Sequence, residues 1–387
     1  MVRRFLRNNK SLVDSTCEST VSLGNWAKYS STLLVASCDG NRGNLRLDGP
    51  LGSSTDFTHK QYQLKYCLLS QHTEYMLDVK IILTGEKPAR YENSIIIMNH
   101  RCRLDWMFFW CVMARSSELA LRNEKILMKR ELKYIPGPGW AMQNALYIFL
   151  YRRWEKDEGY LNSLLRYFVS SPDKLHLLMF PEGTNFEEIT KTWSDNYAKK
   201  NDLPLYDYVL HPRVRGFTHC VEKLRQGNKI DAIYDVTVGY SENYCFEELD
   251  IMKGKIPDEI HFHIQRFSID ELPVDSQGLD HWCSKRWSEK EERLSKFYGQ
   301  DEKHFTPVVE SVIVDNNEEE AVRVFYKFEL VFWVLSSSCV CLLLAASSVL
   351  RWCLLFFGIV FFVLTLCGGT DEIFLNAQTA PLDASES

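Results

Sequence analysis

The sequence predicts an α/β fold: a mixed, largely parallel sheet flanked by helices, with a transmembrane segment or hairpin near the C-terminus. Three observations predict it. Short β-branched apolar runs alternate with helical patterns from Tyr75 to about residue 300, as in stacked strand-helix units. Chemically capable residues follow directly on two of those runs, at Asn99 to Asp105 and at Phe180 to Thr184. That is where ligands gather in such sheets, at the carboxyl ends of strands. Finally, an almost uncharged stretch from Phe328 to Cys367 is long enough to enter a bilayer.

Taken in order, residues 1–74 are polar and rich in Ser, Thr and Gly through Ser54, and they read as a flexible, atypical leader. Arg3, Arg4 and Arg7 suggest a targeting peptide, but Asp14 and Glu18 argue against one. Residues 75–300 form the expected catalytic domain. Its strands are expected at Val79–Leu83, Ser94–Met98, Lys125–Met128, Ala145–Tyr151, Leu175–Phe180, Tyr208–Leu210, Ala232–Tyr240 and Glu259–Phe267. Helices are expected over Trp106–Met113 and Asp157–Val169, and Lys285 to Lys296 reads as a helix with a solvated, charged face. A linker, 301–327, leads to the membrane segment, 328–367, and a polar tail, 368–387.

Within the membrane segment, Phe328 to Leu350 carries one charge, Glu329, and reads as a spanning helix. Arg351-Trp352 interrupts it, and Cys353 to Cys367 is short for a second span. Two tilted passes, or one pass with a re-entrant or interfacial segment, both fit.

Composition limits the function. With 387 residues, 45% hydrophobic and 13% aromatic, the chain can bury a full core. A net charge of −6 and the lack of any basic run exclude a nucleic-acid partner, so an anionic ligand would need a local basic patch. The 12 cysteines lack paired Cys-x2-Cys spacing and read as buried free thiols in a reducing compartment. His261 and His263 share a strand face but lack a third ligand, so they read as satisfied core histidines and no metal is expected.

The chemistry centres on His100 and Asp105. Five residues apart on one helix they would point about 140° apart. If His100 instead ends a strand and Asp105 opens the helix, the carboxylate can fold back onto the imidazole. It would then fix the tautomer and leave the other ring nitrogen as a base. No Gly-x-Ser-x-Gly elbow accompanies the pair, which points to a nucleophile brought by the substrate, most simply a hydroxyl. In Phe180-Pro-Glu-Gly-Thr184, Gly183 permits close backbone approach to a phosphate or thioester. Glu182 there is a candidate for substrate contact or for bonding the turn's backbone.

His100-x4-Asp105 with Phe180-Pro-Glu-Gly-Thr184 resembles the first and third motifs of the glycerophospholipid acyltransferase family, which includes the 1-acylglycerol-3-phosphate acyltransferases. The wider run is similar to the lysocardiolipin acyltransferase branch. It includes Pro136-Gly-Pro-Gly-Trp-Ala-Met-Gln143, Tyr208-Val-Leu-His-Pro-Arg213 and Trp282 to Arg293. The resemblance implies an acyl-CoA-dependent transfer to a lysophospholipid hydroxyl, with no cofactor beyond acyl-CoA as co-substrate. The acceptor could be lysocardiolipin, lysophosphatidylinositol, lysophosphatidylglycerol or lysophosphatidic acid. It assigns His100 and Asp105 to catalysis and Glu182, Gly183, Thr184, Arg152 and Lys129 to substrate binding. Phe149-Leu-Tyr-Arg152 resembles the second motif, with Tyr151 where an acidic residue is often found. The expected setting is the endoplasmic reticulum membrane, with mitochondria-associated membrane as the alternative. An acyl-thioester or lipid hydrolase and a non-catalytic membrane scaffold are the competing readings; no protein partner is indicated.

Overall fold

The computed structural model describes residues 79–89, 91–116, 123–242, 250, 253–305, 331–332 and 334–383. In chain order the elements are β1 (Lys80–Gly85), β2 (Ser94–Met98), α1 (Asp105–Ser116), β3 (Glu124–Lys129), α2 (Pro138–Asn144), β4 (Ile148–Leu150), α3 (Trp154–Ser170) and β5 (His176–Met179). There follow α4 (Glu188–Lys200), α5 (Val214–Gln226), β6 (Ala232–Tyr240), β7 (Glu259–Ser268), α6 (Ser276–Tyr298), α7 (Val334–Ala346), α8 (Ser348–Leu366) and α9 (Thr370–Asp383). The described residues fall into two compact units, one within 79–127 and 158–305, the other within 128–157 and 331–383.

In the first unit the strand order is β1-β7-β6-β2-β5-β3. β6, β2, β5 and β3 run parallel, β7 is antiparallel to β6, and β1 is parallel to β7. The sheet is thus mixed and largely parallel, as expected. Its centre is β2, whose five residues are all buried; a strand covered on both faces is a continuous apolar run rather than an alternating one. Ser94 at its start pairs with His176 on β5 and Ala232 on β6. There Ser94 Oγ and His176 Nδ1 lie 2.8 Å apart, and burial pushes the His176 pKa down to about 4.

Where β2 ends, β6 continues, and Asn99 extends the pairing with its side chain. Its amide donates to the Val238 carbonyl (3.1 Å) and accepts from the Val238 N–H (2.8 Å). The carboxyl ends of β2, β5 and β6 therefore lead directly into His100, Phe180 and Tyr240.

α6 covers this sheet and corrects one expectation. The Lys285 to Lys296 stretch is solvated on one side only, where Lys285, Glu292 and Lys296 are exposed; on the other Arg286, Trp287, Lys290 and Leu294 are buried. Lys290 forms an ion pair with Asp235 in the middle of β6 and donates to the Val236 carbonyl. Arg293 donates to Thr237 Oγ1 (2.6 Å) and Gln265 Oε1 (2.9 Å). Charges that look solvated in sequence here neutralise a buried aspartate, since an unpaired buried charge costs several kcal/mol.

Two further expectations change. Tyr208–Leu210 is not a strand, because the Glu291 carboxylate accepts the backbone N–H groups of Asp207, Tyr208 and Val209 at 2.7, 2.9 and 3.1 Å. Ala145–Tyr151 is a strand only at Ile148–Leu150. Ala145 is the C-cap of α2, and Leu146 takes a φ of +54° that no strand allows. His261 lies 3.3 Å from Glu259, and His263 bonds Thr84 Oγ1 at 3.0 Å.

In the second unit the break between the apolar helices lies at Ser347, not at Arg351-Trp352. Ser347 caps α8 by accepting from the Leu350 N–H at 3.3 Å. Arg351 reaches back to the carbonyls of Leu344 and Ala345 at 2.7 Å each, a cation closing the C-terminus of α7. The second apolar segment is therefore longer than expected. α8, at 19 residues, is the one described helix long and apolar enough to cross a membrane. Residues 328–330 and 333 of the expected first span lie outside the described residues, and α7 is the described helix of that span.

Cys339, Cys341, Cys353 and Cys367 are exposed on this part of the chain rather than buried, whereas Cys102, Cys111, Cys220 and Cys283 are core thiols. The polar tail begins as a helix, α9. Its Asp371 pairs with fully buried Lys133 at 2.8 Å, and Glu372 bridges Lys133 (3.1 Å) and Arg130 (3.2 Å). Gly369, at φ +100°, makes this possible: a Cβ there would lie 2.4 Å from Lys133 Cε.

Candidate active site

His100 follows the end of β2 and Asp105 opens α1, so a one-turn loop carries the carboxylate back onto the ring. His100 Nδ1 lies 3.0 Å from Asp105 Oδ2. The Asp105 side chain is fully buried while 17% of the His100 side chain remains exposed. The same Oδ2 accepts the Cys102 N–H at 2.9 Å, and Oδ1 accepts from the Tyr240 hydroxyl. A carboxylate with three hydrogen-bond partners at the first turn of a helix is held in one orientation. Burial, followed by the Asp105 charge, drives the Tyr240 pKa well above its ordinary value, so the phenol remains a donor. With Nδ1 engaged by an anion, the neutral imidazole presents Nε2 as its basic nitrogen.

The second motif is tied to the first. The His100 ring stacks on Phe180 with centroids 4.2 Å apart, and the His100 carbonyl accepts the Phe186 N–H at 2.7 Å. Between these, the Gly183 N–H donates to the Phe180 carbonyl at 2.9 Å. Gly183 adopts φ +73°, the left-handed conformation that favours glycine. Thr184 is partly exposed beside it.

Glu182 points inward. It is buried and accepts the Trp287 indole N–H at 3.0 Å. Burial raises its pKa to about 8, against the pull of the Trp287 indole, the His100 backbone amide and the Lys290 charge. This arrangement favours the second of its two expected roles, bracing the turn.

Lys129 and Arg152 belong to the second unit. Lys129 is the exposed last residue of β3. Arg152 follows β4 with φ +62°, a conformation that costs a non-glycine residue about 1 kcal/mol or more. Asp157 holds that turn by accepting the N–H groups of Tyr151 (2.7 Å) and Arg153 (2.9 Å). The unexpected Tyr151 is a platform for cations, with Arg130 4.3 Å and Lys156 5.4 Å from its ring centroid.

Sequence reading missed Tyr240, Trp287 and the Asp235–Lys290 pair. The available signal was Asp235, a charge inside the apolar run Ala232–Tyr240, which requires a partner elsewhere in the chain.

Comparison with known proteins identifies the family. A family model described as Acyltransferase matches residues 80–241, and one described as Acyltransferase C-terminus matches residues 250–328. Lysocardiolipin acyltransferase 1 of Mus musculus is 44% identical over 302 residues, covering 78% of this chain and 79% of that protein. Lysophosphatidylinositol acyltransferase 10 of Caenorhabditis elegans is 35% identical over 306 residues, covering 77% and 78%. A crystal structure of the 1-acyl-sn-glycerophosphate acyltransferase PlsC from Thermotoga maritima covers 77% of this chain and 98% of its own, with a TM-score of 0.43 at 12% identity. The sheet and the matched family models define an acyltransferase. The chain belongs to the glycerophospholipid acyltransferase family, as its motifs led us to expect.

Two predictions follow from the electrostatics. Tyr240→Phe removes one bond to the Asp105 carboxylate, which then holds an imidazolium proton more tightly. The acid limb of the pH–rate profile for acyl transfer should move up by about half to one unit, the effect of a hydrogen bond worth about 1 kcal/mol; an unmoved limb would uncouple Tyr240 from His100. Glu182 binds its proton more tightly in the folded state, so its contribution to stability is full below its ordinary value of 4.5 and is lost as pH rises through about 8. Glu182→Gln should therefore flatten the fall in melting temperature between these limits, although Glu124, also raised to about 8 by burial, keeps part of it. A curve parallel to wild type would refute the assignment.

Proposed function

We propose that this protein transfers a fatty acyl group from acyl-CoA to the free hydroxyl of an anionic lysophospholipid. The observation that carries the reading is the His100–Asp105 pair, 3.0 Å apart, with the carboxylate wholly buried and the imidazole partly exposed. A base so presented, beside no activated nucleophile among the described residues, suits a substrate hydroxyl. Cys102, the nearest thiol in sequence, is buried.

In the proposed reaction His100 Nε2 takes the hydroxyl proton while Asp105 stabilises the imidazolium. The alkoxide oxygen forms a bond to the thioester carbonyl carbon. The C–S bond then breaks, and the imidazolium returns its proton to the leaving thiolate. The relatives' names, a lysocardiolipin and a lysophosphatidylinositol acyltransferase, support acceptors with a glycerophosphate core. Lysophosphatidylglycerol and lysophosphatidic acid share that chemistry. Lys129 and Arg152 are cationic candidates for the headgroup phosphate, and Gly183 and Thr184 for backbone contact. The apolar helix α8 suits an enzyme held in the endoplasmic reticulum membrane, where its acceptor need not enter water.

The test is transfer from labelled oleoyl-CoA in membranes carrying wild type or His100→Ala, with a panel of lysophospholipids offered in parallel. Wild type should form diacyl product, and the variant should lose roughly 10²- to 10⁴-fold while remaining inserted. Histidine-dependent release of free oleate without diacyl product would establish a hydrolase instead.

A further inference from the structure

The arginines around the Phe180–Thr184 turn are occupied, with one exception. Arg101 donates to the Tyr208 carbonyl at 3.1 Å and lies over the rings of Phe186 and Tyr298. Arg103 pairs with Glu187 at 2.9 Å. Arg213, which precedes α5, is exposed and its guanidinium has no hydrogen bond or ion pair to any described residue.

Its position is nonetheless fixed from two directions. The Arg213 N–H donates to the Pro181 carbonyl at 2.7 Å. Its side chain passes over Gly183, where an added Cβ would lie 3.5 Å from Arg213 Cδ, 3.6 Å from Nε and 3.8 Å from Cζ. Just beyond that glycine, the Thr184 and Asn185 N–H groups, both on partly exposed residues, bond no described acceptor. Successive amides after a residue of positive φ form a concave donor set suited to an anion. A guanidinium fork beside them matches the oxygens of a phosphate. The turn is joined to the proposed base by the Phe186–His100 bond and the Phe180 stack.

We propose that Arg213, with the Thr184 and Asn185 amides, binds a phosphate group of a substrate. This rests on the acyltransferase reading above and adds to it a binding residue from outside the two signature motifs. The same chemistry is offered by the lysophospholipid headgroup and by the phosphates of coenzyme A, and the two sources are separable.

The experiment uses the full-length enzyme in detergent micelles as wild type, Arg213→Ala and Arg213→Lys. KM and kcat are measured with lysophosphatidic acid and with oleoyl-CoA varied in turn. Equilibrium binding is measured separately for coenzyme A and for lysophosphatidic acid, with monooleoylglycerol as the phosphate-free control. Arg213→Ala should raise KM for one substrate roughly 10- to 100-fold, the range for a charge-assisted contact, with a smaller fall in kcat. Arg213→Lys should recover part of the loss, because it restores the charge without the fork. The substrate affected identifies the source of the phosphate, and its binding should weaken in parallel while monooleoylglycerol binding does not change. If neither KM nor either phosphate ligand's binding changes by more than about twofold, the proposal is overturned. If wild type transfers no acyl group, the functional reading fails, and the binding arm alone still decides whether Arg213 holds phosphate.

Discussion

The buried carboxylate of Asp105 is the constraint on which the site depends. It has left water entirely and has done so with three donors in place: the Cys102 amide, the Tyr240 hydroxyl and His100 Nδ1. They come from two parts of the architecture. The amide and the imidazole belong to the loop between β2 and α1, and the hydroxyl to the last residue of β6. A buried carboxylate lacking one of them would lose about 1–3 kcal/mol. Folding around Asp105 therefore favours a fixed imidazole. Orienting a base in advance is what proton transfer in a rate-limiting step requires.

Behind that pair the protein keeps a second set of buried polar groups that never reach a substrate in this account. Asp235 and Lys290 neutralise one another between β6 and α6. Glu182 escapes the same problem differently, by taking up a proton and the Trp287 indole N–H. Both arrangements fasten α6 to the sheet beneath the Phe180–Thr184 turn. The charged helix thus serves the site from behind, as a clamp on the elements that carry the proposed base.

Much of this was legible in the sequence, for identifiable reasons. Ser94–Met98, His176–Met179 and Ala232–Tyr240 are central strands covered on both faces, so each appears as a largely apolar run, broken in the last by Asp235. His100 and Asp105 were readable because a strand-to-helix corner is a local event spanning only five residues. What escaped was non-local. Tyr240 meets Asp105 across 135 residues, and nothing near either residue announces it. Tyr208–Leu210 has the composition of a strand, yet Glu291, more than 80 residues away, takes its amides. Arg351 looks like an interruption of an apolar run until its bonds to Leu344 and Ala345 show that it closes the preceding helix. Residue patterns report burial well, but not which distant partner makes a buried polar group tolerable.

The central claim is that Asp105 holds the neutral His100 ring with its proton on Nδ1, leaving Nε2 to accept one from the substrate. Nitrogen NMR of histidine-labelled enzyme in micelles reads this directly, with the His100 signals assigned by their loss in His100→Ala. The account predicts a protonated Nδ1 with a downfield, hydrogen-bonded proton and a bare Nε2, and disruption of that pattern in Asp105→Asn. A neutral ring carrying its proton on Nε2 in the wild type would contradict it.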